Sequence, residues 1–97
     1  MAAYVIVGVD VHDAEAYSDY TREVPATLEP FGGRFLVRGG AYEVIEGEWP
    51  AARIVVLTFP TVEQAHQWHA SPAYQAILPI RQQQAKTHVL VIVEGVS

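Results

Sequence analysis

Arg53–Phe59 reads RIVVLTF and His88–Val93 reads HVLVIV. Both stretches are short and rich in β-branched residues, which is the composition of strands. Neither alternates. A strand with one face on a core and the other in water carries apolar and polar residues in turn. Between Ile54 and Phe59 only Thr58 is polar, and between Val89 and Val93 no residue is. Both faces of these strands are therefore expected to be covered, and the rest of the chain must be read for what covers them.

Working outward, Tyr4 to Val11 is another β-branched stretch and reads as a strand. Asp13 is placed to cap a helix, with Glu15 adding negative charge to its first turn. Tyr17, Tyr20, Val24, Leu28 and Phe31 follow at helical spacing. Pro25 is expected to bend or split that helix near Thr21, because proline has no N–H to donate, and Gly32-Gly33 to end it. Arg34 to Arg38 reads as a strand, with a bend at Gly39-Gly40 and a continuation from Ala41 to Glu46. GEWPAAR turns the chain into the strand Ile54–Phe59. Thr61 and Gln64 form a capping box for a second helix that stops at Ser71-Pro72. There Ser71 can cap a third helix with Pro72 in its first position, and Pro79 is expected to kink it. The last strand is His88 to Glu94.

The order β-α-β-β-α-α-β is that of a ferredoxin-like α+β sandwich, an antiparallel sheet with helices on one face, expected to fill 1–97 as one domain. The helices cover one face only. A second copy is the economical cover for the other, two sheets meeting across a two-fold axis as a dimeric α/β barrel. The expected partner is therefore the chain itself, as a homodimer.

Composition agrees with that. The apolar fraction is 51%, high for 97 residues with so much surface. A net charge of −5 argues against nucleic acid and against an anionic membrane surface, both of which are bound through Lys and Arg. No cysteine is present, so disulfides, thiolate nucleophiles and Cys-bound zinc are excluded. MAAYVIVGVDV lacks the basic start of a signal peptide, and Asp10 interrupts it far short of a membrane span. A soluble cytoplasmic protein is expected.

The stretches GGRFLVRGG, YEVIEGEW and FPTVEQAHQWHASPAY resemble the domain-of-unknown-function family thirteen-thirty. The resemblance runs from about Tyr4 to Gly95. It implies the dimeric α/β-barrel superfamily and brings no established reaction. Superfamily relatives include haem-degrading and cofactor-free monooxygenases, haem peroxidases and enzymes that modify aromatic rings. Pro79 in a helix and His69 after Trp68 depart from the family's usual residues.

Several side chains carry candidate chemistry. Simple alternation puts Arg34, Leu36 and Arg38 on one strand face and Phe35 and Val37 on the other. Arg38 can then reach into the cleft beneath the helices and hold a carboxylate or enolate. The plainer alternative is edge charge, or a salt bridge to Glu43 or Glu46. Arg81 lies seven residues after Tyr74 on the face of the third helix that should be buried. A buried guanidinium needs an acceptor, and an ion pair with Glu46 or Glu94 is the ordinary arrangement, an anionic ligand the other. His66 and His69 share a helix face. They can act as proton carriers near neutral pH, whereas a metal site lacks an announced third ligand and no metal or cofactor is expected. Tyr17, Trp68 and Tyr74 are read as cleft walls, or else as ordinary core aromatics.

The function expected is the binding or transformation of a small anionic or aromatic metabolite without a cofactor, in a cleft between sheet and helices. Arg38 and Arg81 would be its anchors, and His66 or His69 its proton carrier. One alternative is a non-catalytic homodimeric module, in which the arginines pair with the protein's own carboxylates. The other is a haem- or metal-binding member of the superfamily.

Overall fold

The computed structural model describes residues 1–97. In chain order the elements are β1 (Ala3–Val11), α1 (Ala14–Leu28), a 3-10 turn (Glu29–Phe31), β2 (Arg34–Arg38), β3 (Arg53–Phe59), α2 (Val62–Ala70), α3 (Pro72–Gln84) and β4 (Ala85–Glu94). The strands form one sheet in the order β2-β3-β1-β4, with every neighbouring pair antiparallel. This is the ferredoxin-like α+β fold that the element order implies.

Local chemistry sets the helix ends. Asp13 accepts from the Ala16 N–H at 3.1 Å, and Thr61 accepts from the Gln64 N–H at 3.1 Å. Ser71 serves two elements at once, donating to the Trp68 carbonyl at 2.7 Å and accepting from the Tyr74 N–H at 3.3 Å. Gly32 leaves the 3-10 turn at φ 71°, the left-handed conformation that costs glycine least, and its N–H donates to the Glu29 carbonyl.

Ala3, Val5, Val7 and Val9 of β1 join Leu57 and Phe59 of β3 in a core closed by Tyr17, Tyr20 and Leu28 of α1, Trp68 of α2, and Tyr74 and Leu78 of α3. All three helices therefore lie on one face of the sheet. The pairings Tyr4↔Val93, Ile6↔Val91, Ile6↔Val56 and Gly8↔Val89 belong to the opposite face. There Val91 and Val93 remain 43% and 45% exposed.

Four local expectations are corrected. Pro25 does not split α1, and α3 runs continuously through Pro79. Proline at 25 removes the donor for the Thr21 carbonyl, and the Arg38 Nη2 supplies one in its place. Ala41 to Glu46 is not a strand: Gly39 turns at φ 72° and the chain leaves the sheet until Arg53. β4 begins at Ala85, pairing with Val11, because the α3 C-terminus leads directly into the sheet.

The fourth correction concerns the faces of β2. Phe35 pairs with Leu57 and Val37 with Val56, so Leu36 is an extra residue in a bulge. The bulge resets the alternation. Phe35 and Arg38 face the helices, while Arg34 and Val37 face away.

Part of the sheet's outer face is covered by the chain itself. The Trp49 ring and Ala51 lie so close over Gly8 that a β-carbon there would come within 2.8 Å of Trp49 and 3.2 Å of Ala51. Asp10 fastens this segment: one oxygen accepts from the Ala52 N–H at 2.5 Å, the other bonds His88 Nε2 at 2.7 Å.

Candidate functional site

A cleft opens between the helices and the inner face of the sheet. Its walls are Tyr17, Tyr20, Thr21 and Val24 from α1, Phe35 and Arg38 from β2, and Arg53, Val55 and Leu57 from β3. Val7 of β1, Trp68, Tyr74, Arg81 and Leu90 complete it. The enclosed space is about 40 Å³, room for about three waters at roughly 10–15 Å³ each.

The aromatic wall is continuous. Tyr20 and Tyr74 join hydroxyl to hydroxyl at 2.6 Å, and the Tyr74 and Trp68 rings lie 4.2 Å apart between centroids. Trp68 Nε1 donates to Thr27 Oγ1 at 3.0 Å, which fixes the indole at the back. Burial holds the Tyr20 phenol far above its ordinary ionisation range, with Tyr74 adding to the effect. Tyr17 is also raised, chiefly by burial, although Arg53, Arg81 and Arg38 all pull against the rise. The Tyr17 hydroxyl thus lies within the field of all three guanidinium groups.

Those arginines are half of the six basic residues in a chain of net charge −5. None of them meets a carboxylate. The carboxylates that meet a basic side chain are Asp19, paired with Arg22, and Asp10, hydrogen-bonded to His88. The expected pairing of Arg81 with Glu46 or Glu94, or of Arg38 with Glu43 or Glu46, is therefore overturned. The reason is geometric: Glu43 and Glu46 sit on the exposed segment that left the sheet, and Glu94 ends β4 on an exposed position.

Each guanidinium is held differently. Arg38 stacks over the Phe35 ring at 4.3 Å and donates to the Thr21 carbonyl. Arg81, 6% exposed, donates through Nη1 to Thr87 Oγ1, while its Nε is buried without a partner. Arg53 also has a buried Nε with no partner. Its guanidinium lies against Gly39, where a β-carbon would come within 2.7 Å of the Arg53 Cζ. The glycine that ends β2 makes the space in which Arg53 lies.

Five of the residues singled out from sequence, Tyr17, Arg38, Trp68, Tyr74 and Arg81, line this one cleft. His66 and His69 do not. They line a separate shallow hollow with Leu90 and Ile92, His66 exposed and His69 half-buried against the Tyr74 ring at 5.5 Å. Burial, and then the charge of Arg81, lower the His69 pKa from its ordinary value. No group of three potential metal ligands comes together anywhere in the chain. Arg53 was missed from sequence because it opens an apolar strand beside a turn, and only the register, Arg53 opposite Val9, puts it on the inner face.

The features define a class: a ferredoxin-like α+β domain with an arginine- and tyrosine-lined cleft between its sheet and helices. The chain belongs to the family described as Domain of unknown function (DUF1330), whose model matches residues 2–96. No curated protein matches it by sequence. Among solved structures it is similar to RPA0582, a protein of unknown function from Rhodopseudomonas palustris, at TM-score 0.73 and 17% identity, covering 99% of this chain and 83% of that one. It is also similar to SnoaB, a cofactor-independent oxygenase from Streptomyces nogalater, at TM-score 0.65 and 10% identity over 99% of this chain and 94% of that one. A dimeric protein of unknown function with a ferredoxin-like fold from Bacteroides fragilis aligns at TM-score 0.54 and 11% identity, over 97% and 95%. At such identities the likeness shows the fold. No helix is long and apolar enough to cross a membrane.

Proposed function

We infer that the protein is a homodimer that binds, and transforms without a cofactor, a small anionic or aromatic metabolite in the cleft between sheet and helices. The observation that carries this reading is the convergence of Arg38, Arg53 and Arg81 on a tyrosine-lined cleft with no carboxylate to neutralise them. Taking a guanidinium out of water costs several kcal/mol unless it is paired. That cost falls on Arg81, which is buried, and less on Arg53, which is half-buried, whereas Arg38 is exposed at the cleft's edge. A site that keeps a buried charge uncompensated is one whose counter-charge arrives from outside. The cofactor-independent oxygenase among proteins of this fold supports chemistry of that class.

The accessory-module alternative requires arginines spent on the protein's own carboxylates, and that condition is not met. His66 and His69 lie outside the cleft, and its phenols, with Tyr17 and Tyr20 raised by burial, serve as hydrogen-bond donors to the ligand.

A metabolite panel screened by ligand-induced melting shift tests the reading. Small aromatic and conjugated acids are expected to raise the melting temperature of the wild type, and Arg38→Ala and Arg81→Ala to abolish the rise. Shifts unchanged in both variants would remove the cleft from consideration.

A further inference from the structure

The three arginines are not equivalent, and the difference narrows the ligand. Arg38 already has a carbonyl and an aromatic face as partners. Arg81 is more than nine-tenths buried with its Nε unbonded, and Arg53 has its Nε in the same condition. Both line the cleft, together with Tyr17. Two guanidinium groups that line one small space, each with a buried N–H lacking a partner and neither paired with a carboxylate, call for an acceptor there.

Resting on the reading above, we propose that Arg53 and Arg81, with the Tyr17 hydroxyl, form an oxyanion subsite that takes the single carboxylate of a flat conjugated acid. A carboxylate is acceptor-only and offers about four lone-pair positions, matching two guanidinium edges and one phenol. The cleft's free space, room for about three waters, suits a small headgroup. The remainder of the ligand then lies toward the mouth, where the Phe35 ring and the Arg38 guanidinium stacked upon it present a flat ledge. One carboxylate is sufficient. A second anionic group would have to displace Arg38 from the Thr21 carbonyl.

The decisive observation is the pair of arginine Nε–H signals in a nitrogen-15 correlation spectrum, titrated with benzoate and, separately, with neutral benzamide. Benzoate is expected to shift the Arg53 and Arg81 Nε–H signals, and benzamide to leave them in place. Arg53→Gln and Arg81→Lys should each weaken benzoate about tenfold, the loss of one charge-assisted hydrogen bond. Arg81→Lys keeps the buried charge but removes the Nε–H and the fork, so a folded protein remains to be measured. Arg34→Gln, on the opposite face of β2, should bind as the wild type does. If benzoate and benzamide bind alike, shifting Tyr17 and Trp68 but neither Nε–H, the oxyanion subsite is wrong while the cleft reading survives. If neither compound moves any cleft signal at tens of millimolar, both readings fall.

Discussion

The Thr21 carbonyl shows how much one residue's chemistry can decide. In a regular helix that oxygen accepts from the N–H four residues on, but residue 25 is proline and has none. The carbonyl is thus available to Arg38, whose side chain crosses from the sheet to the helix at the cleft mouth. Pro25 acts as a positioning residue at second hand. Pro25→Ala would restore the intrahelical donor, and Arg38 should then react several-fold faster with a dicarbonyl reagent, read by peptide mass spectrometry. An unchanged rate would mean the guanidinium is held by Phe35 alone. The paired hydroxyls of Tyr20 and Tyr74 are a second case at this scale. Tyr20→Phe leaves the buried Tyr74 hydroxyl without its partner and should cost about 1–3 kcal/mol in urea unfolding. A cost within about 0.5 kcal/mol would put the pair among ordinary surface-like changes.

At the scale of elements, β2 and the segment after it hold most of what sequence reading got wrong. Alternation assigns Arg38 to the same face as Arg34, and the bulge at Leu36 separates them. A bulge has no dependable signature in five residues, because any residue can be the extra one. The caps at Asp13, Thr61 and Ser71 were legible, since side-chain oxygens three residues before a free N–H leave little choice. The cleft's aromatic wall was legible for the same reason: helical spacing puts Tyr17, Tyr20 and Val24 on one face. The role of Arg53 was not, because it depends on pairing between distant strands. Gly39→Ala tests that role: the new β-carbon meets the Arg53 guanidinium and strains a backbone at φ 72°. It should weaken the binding of anionic probes in calorimetry while the circular dichroism stays native. Unaltered affinity would take Arg53 out of the site. Asp10 is the other joint between elements, fastening Ala52 to β1 and β4. Its pKa is lowered from 3.8, first by the Ala52 N–H and then by His88. A depressed carboxylate pKa gives stability that is present above 3.8 and lost as pH falls through the lower folded value. Asp10→Asn should therefore flatten the acid limb of a stability-versus-pH curve, and an identical limb in both proteins would deny the joint any weight.

The whole molecule is a slab of 34 × 31 × 17 Å, thick enough for one sheet and one layer of helices. The helices occupy one side. On the other, Trp49 shields the end around Gly8, but Ile6, Ile54 and Val56 are only half-buried and Val91 and Val93 are exposed. The segment bearing Tyr42, Val44 and Ile45 is exposed as well, the last 79% accessible. Exposed apolar surface of this extent on a small domain marks an interaction site. The surface belongs to a sheet whose central strands are apolar on both sides, so a second sheet of the same chain matches it in shape and chemistry. A mass twice 10.7 kDa is therefore expected from light scattering at micromolar concentration. Val91→Lys should reduce it to the monomer, because it puts an uncompensated charge on the apolar face that each copy would have to bury. Val91 points away from the helices, so the cleft should survive in that variant and its Tyr and Trp near-ultraviolet dichroism should be retained. A wild type that remains monomeric into the hundred-micromolar range would show that this apolar face is left to water or meets a different partner.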